Sequence, residues 1–140
     1  MLLHYIKRYP FSLTLITFVV YLSFFRPPSV GVQLFLGIDK LAHFLMYAGV
    51  SGCLWLEFFF NHRKEAIPIH HAIVGTIIAP ILFSGIVELL QATLTKYRGG
   101  EWLDFFANTC GVIAATLIAW YIVKPIVEKK RKDNEPPMEK

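Results

Sequence analysis

This chain is short of charge. Only 17% of its 140 residues are Asp, Glu, Lys or Arg, against 55% hydrophobic, and the mean hydropathy is +0.50. A soluble domain of this size carries nearer 25% charge, so the composition points to the membrane. Cysteine is scarce too. Cys53 and Cys110 both fall inside apolar stretches, with no CxxC or Cys/His ligand spacing. That excludes a disulfide framework and a zinc site, and leaves both as small apolar residues. A basic face on a soluble domain is absent, so the net charge of +4 does not indicate nucleic acid. No small-residue cleavage site follows the first apolar run, which ends in Phe24-Phe25-Arg26-Pro27-Pro28. It therefore reads as an uncleaved first helix rather than a signal peptide. There is no internal repeat and no low-complexity segment.

What is present is four apolar segments: Phe11 to Phe25, Leu41 to Phe60, about Ile67 to Leu94 with Pro80 inside it, and Phe105 to Val123. A span takes about 20 apolar residues, so the last three qualify. The first is short and needs bilayer thinning or snorkelling by Lys7, Arg8 and Arg26. The fold expected is an all-α integral membrane bundle of four transmembrane helices, over residues 1–123, with 124–140 as a basic, partly disordered tail. Four spans put both termini and the second connector on one side, with ten Lys and Arg against four on the other. The positive-inside rule makes both termini cytoplasmic and the first and third connectors external. The bilayer is the one partner implied by composition.

Against this apolar background, ionisable and amide residues recur at helical spacing. Such residues cost roughly 2.5–3.5 kcal/mol at a helix centre on insertion scales, and mark functional sites by default. Asp39, Lys40, His43 and Tyr47 enter the second segment, with 39, 43 and 47 on one face. Glu88 and Gln91 lie near the outer end of the third. Glu101, Asp104, Asn108 and Gly111 open the fourth. At 1.5 Å per residue these stripes reach similar depths in the outer leaflet, where Arg98, on the third connector, can close over them. Each has a structural alternative. Asp39 and Asp104 suit helix starts, His43 suits a satisfied buried histidine, and Gln91 and Asn108 suit interhelical hydrogen bonding. Capping does not account for Glu88. Glu57, His62, His70 and His71 read as interfacial at the cytoplasmic side.

The order Asp39-Lys40-x-x-His43-Phe44-x-x-Tyr47 resembles the first signature of the VanZ-like family of membrane proteins. Glu88-x-x-Gln91, Arg98, and Glu101-Trp102-x-Asp104-x-x-x-Asn108-x-x-Gly111 resemble its second. The likeness covers about Ile38 to Ile118. It implies a bacterial inner-membrane protein with a shared polar site. It also implies an association with low-level resistance to the glycopeptide teicoplanin, the trait of the family's founding member. No reaction and no cofactor come with it.

Two functional readings stand beside this resemblance. In the first, the pocket binds or modifies a lipid-linked envelope component or a glycopeptide. His43 is then the acid/base candidate, Asp39, Glu88 or Asp104 orient it, and Lys40 and Arg98 hold an anionic group. Gln91, Asn108, Tyr47 and Glu101 complete the candidate ligand contacts. In the second, the polar cluster only locks the bundle. A metal bound by Asp39, His43, Glu88 and Asp104 is disfavoured by the lack of a second histidine.

Overall fold

The protein is described by a computed structural model covering residues 6–25, 37–62, 69–94 and 101–133. Among these residues there are four apolar helices and no strand. They are α1 (Pro10–Phe24), α2 (Ile38–Asn61), α3 (Ile69–Leu94) and α4 (Trp102–Asp133). The last three are long and apolar enough to cross a membrane, at 24, 26 and 32 residues. The 15 residues of α1 extend about 22 Å, less than the roughly 30 Å of a hydrocarbon core. The connectors lie outside the described residues. They include Arg26 and most of the Pro- and Gly-containing segment before α2, and Arg98. Beyond the segments read from the sequence, α4 continues without a break through Lys124 to Asp133.

Local chemistry explains where these helices start and how they deform. Pro10 opens α1, where a missing N–H costs nothing and a fixed φ is already helical. The next donors are accepted from another helix. The backbone N–H of Phe11 donates to Glu57 Oε1 at 2.8 Å and that of Ser12 to Oε2 at 3.1 Å, and the Ser12 hydroxyl also donates to Oε2. Glu57, read from the sequence as interfacial, is instead buried at 8% exposure. It is a carboxylate cap lent by α2 to the positive end of α1. The Asn61 side chain adds a bond from Nδ2 to the Arg8 carbonyl at 2.6 Å. These contacts hold the start of α1 against the end of α2, so the two run antiparallel.

Helix α3 contains a π-helical turn at Val74–Ile78, and α4 another at Ala119–Val123. Each lies just ahead of a proline, Pro80 and Pro125. A proline in a helix interior removes one bond and pushes away the carbonyl four residues earlier, and the backbone accommodates by widening. For Pro80 that carbonyl belongs to Thr76. It accepts a hydrogen bond from Ser51 Oγ on α2 at 2.8 Å, so the displaced acceptor becomes an interhelical tie.

The core has two layers. Val19, Tyr47, Val50 and Val112 form one between α1, α2 and α4. Trp55, Ala72 and Ala119 form the other, with Phe58, Phe59 and Trp120 packed around them. Trp55 donates through Nε1 to Thr116 Oγ1 at 3.1 Å, so the buried indole is satisfied. The ammonium of Lys124 sits 3.7 Å from the centre of the Trp120 ring. Outside this core the helices present an apolar surface. Leu82, Leu89, Leu103, Phe106, Phe11 and Tyr121 are all more than half exposed. An apolar face of that extent belongs against lipid.

Helices α2 and α4 come into close backbone approach at Gly111. A Cβ there would lie 2.2 Å from the Phe44 carbonyl oxygen and 2.9 Å from the Ala48 nitrogen. Both atoms are backbone, so neither can swing aside. Gly111→Ala is therefore expected to force the helices apart and to destabilise the bundle by about 1–3 kcal/mol. Gly52→Ala is the control, since nothing lies within 4 Å of a Cβ at that position. Thermal unfolding of the two variants in a bilayer mimetic should show a lowered midpoint for the first and none for the second.

Candidate functional site

Because Gly111 brings α4 against α2, the residues one turn earlier on α4 meet those one turn earlier on α2. Asn108, fully buried, presents Oδ1 to His43 Nδ1 at 3.1 Å and Nδ2 to Glu88 Oε1 at 3.3 Å. Glu88 comes from α3, so a single amide joins three helices. His43 Nδ1 is itself 3.7 Å from Glu88 Oε1. With Glu88 ionised, the roles follow in turn. A carboxylate only accepts, so Nδ2 is the Asn108 atom facing it. Oδ1 then faces His43, and His43 Nδ1 must carry the proton. The other ring nitrogen, Nε2, lies on the Asp104 side, 3.6 Å from Oδ2 and beyond hydrogen-bond length.

Asp104 and Asp39 occupy the first turns of α4 and α2, where the helix dipoles favour negative charge. Neither is the N-cap. That position is held by Glu101 in α4 and by Gly37 in α2, whose φ of 109° suits glycine. Lys40 stands among these acids. Its ammonium is 2.5 Å from Glu101 Oε2, 2.8 Å from Asp104 Oδ1 and 3.9 Å from Asp39 Oδ2. The sequence suggested Lys40 as a holder of an anionic ligand. In the structure its charge is already engaged by three carboxylates.

Three buried polar atoms near this network lack a hydrogen bond among the described residues: Asp104 Oδ1, which is ion-paired with Lys40, and Glu88 Oε2 and the Tyr47 hydroxyl, which have no such partner. Tyr47 is 1% exposed, and its ring packs beside Phe83 in the core. Gln91, expected with the ligand contacts, donates from Nε2 to the Ser23 carbonyl at 2.8 Å and ties α3 to the end of α1. The structure thus gathers Asp39, Lys40, His43, Glu88, Glu101, Asp104 and Asn108, and turns Gln91 toward α1. Arg98 lies outside the described residues.

As a metal set, Asp39, His43 and Asp104 each place one ligand atom within 4.8 Å of the others, without Glu88. The Lys40 ammonium, at 2.8 Å from one of those carboxylates, already supplies positive charge there. Chemically, the arrangement offers an imidazole fixed in one tautomer, flanked by acids, and able to take or give a proton at Nε2.

The tautomer is directly measurable. Imidazole ¹⁵N resonances of His43 should show Nδ1 protonated. Asn108→Leu should abolish that preference and cost about 1–3 kcal/mol, because two buried groups lose their shared partner.

Comparison with curated proteins and with solved structures finds no match. A family model described as VanZ/LLP1 matches residues 1–124, which spans α1 to α3, α4 as far as Lys124 and every residue of the site. Together with the three membrane-length helices, this identifies a VanZ-like membrane protein, and the chain belongs to the VanZ/LLP1 family.

Proposed function

We propose that this is a multi-pass protein of the bacterial cytoplasmic membrane, with both termini in the cytoplasm. In this reading the site at the outer ends of α2, α3 and α4 binds an amphiphilic envelope component, lipid-linked or glycopeptide, and so contributes to tolerance of teicoplanin-type antibiotics. The positive-inside bias supports the orientation. The chemistry on offer is proton transfer through His43 Nε2, with Asn108 and Glu88 setting the tautomer and Asp104 stabilising an imidazolium. Lys40 holds Asp104 and Glu101 in place.

The observation that carries this reading is the incompleteness of the network. A cluster whose only role is to hold helices together does best when every buried donor and acceptor is matched. Here Glu88 Oε2 and the Tyr47 hydroxyl lack hydrogen-bond partners among the described residues, beside a histidine whose orientation is fully specified. A ligand would supply what is missing. The competing reading, a polar lock, is favoured by the close approach at Gly111 and by the tie from Gln91 to Ser23.

Alanine at His43 or at Glu88 separates the two. The binding reading expects normal protein levels and a loss of glycopeptide tolerance in cells that depend on the protein. The lock reading expects reduced levels and a lowered unfolding temperature. Unchanged tolerance in both variants, at normal levels, contradicts the proposal.

A further inference from the structure

Between the outer halves of α3 and α4 runs a groove of about 170 Å³, lined by Gly85, Glu88, Leu89, Ala92, Glu101, Trp102 and Phe105. Its α3 wall follows one helix face at spacings of three and four. Its rim is apolar and outward-facing, with Leu89 at 66% and Trp102 at 87% exposure. Gly85 keeps it open beside the Phe105 ring, which a Cβ at that position would touch at 3.4 Å. A groove of this kind in an apolar helix surface opens to the hydrocarbon rather than to water. Among the described residues, the two ionisable ones that line it are both carboxylates, Glu88 and Glu101. Glu88 is more than nine-tenths buried, and its Oε2 makes no close hydrogen bond among the described residues, although the Glu101 backbone N–H faces the same carboxylate.

Building on the amphiphile-binding reading above, we propose that the ligand enters sideways from the outer leaflet along this groove. It is a single-chain amphiphile whose head group bears a primary ammonium. The chain lies against Leu89, Ala92 and Phe105. The ammonium donates to Glu88, whose carboxylate turns about its last bond to present Oε2, and shares Glu101 with Lys40. Charge complementarity sets this preference. Among the described residues, an anionic head would meet two carboxylates at the groove, and the nearby Lys40 ammonium is already engaged by three acids. A hydroxyl head would satisfy Oε2 without offsetting its charge. An ammonium there also sits within reach of the histidine network that Glu88 terminates.

The test uses full-length protein in phosphatidylcholine nanodiscs at pH 7 and radiolabelled dodecylamine, competed by dodecanol and by dodecyl phosphate. Saturable binding near one per chain is expected, with dodecanol at least about tenfold weaker and dodecyl phosphate weaker still. Glu88→Gln should weaken dodecylamine about tenfold while leaving dodecanol unchanged. Where that variant folds poorly, surface-exposed Glu101→Gln carries the same expectation. Ala92→Phe, which fills the groove, should reduce binding of all three. Equal or tighter binding of dodecyl phosphate overturns the ammonium assignment and leaves the amphiphile reading standing. So does dodecylamine binding that neither glutamine variant weakens. Absence of saturable binding by any of the three chains, or binding unaffected by Ala92→Phe, overturns the groove and removes the support it lends to the amphiphile reading.

Discussion

The half of this bundle where α2 and α4 begin depends on the amide of Asn108. An asparagine buried in an apolar helix must find partners for both ends of its side chain, and here they come from two other helices. One end sets the proton on His43 and the other binds Glu88. The three helices therefore cannot be repacked independently without stranding a polar group in a medium that offers no water to replace it. Gly111, one turn on, makes this geometry accessible by removing the side chain that would hold α4 away from α2. The small residue and the polar residue act together. One sets the distance and the other sets the register.

The same logic operates at the opposite end of the bundle with different parts. Glu57 accepts from the first donors of α1, and Ser51 accommodates the carbonyl displaced by Pro80. These interactions are complete, with each acceptor matched to a donor, and they hold a short helix and a distorted one in place. The Asn108 cluster differs because it leaves Glu88 Oε2 and the Tyr47 hydroxyl without hydrogen-bond partners among the described residues. That contrast between a satisfied end and an unsatisfied one is the main physical support for the proposed site where α2 and α4 begin.

Much of this was legible in the sequence because lipid makes polar residues conspicuous. Asp39, His43, Glu88, Asp104 and Asn108 stood out against apolar segments, and their helical spacing put them on faces that meet. What spacing could not supply was partner choice. Residue type marks Lys40 as a cation for an anionic ligand, and only the fold shows the three acids around it. Gln91 shares a face with Glu88 but reaches the Ser23 carbonyl, since helix rotation and not residue type decides which neighbour an amide meets. Glu57 lay near a predicted boundary and read as interfacial. Its cue was the unsatisfied start of α1, where Pro10 follows Tyr9 with no side-chain cap of its own, yet nothing local indicated which helix would provide the acceptor. The π-turns were foreshadowed by Pro80 and Pro125, and the Ser51 tie that exploits the first of them was not.

The central claim is that His43 and Glu88, on different helices, belong to one energetically coupled network through Asn108. A double-mutant cycle of His43→Ala and Glu88→Ala, read as unfolding free energy in a bilayer mimetic, tests it most directly. The account predicts a coupling of about 0.5–3 kcal/mol between the two positions. Additivity of the two single effects to within about 0.3–0.5 kcal/mol would contradict it.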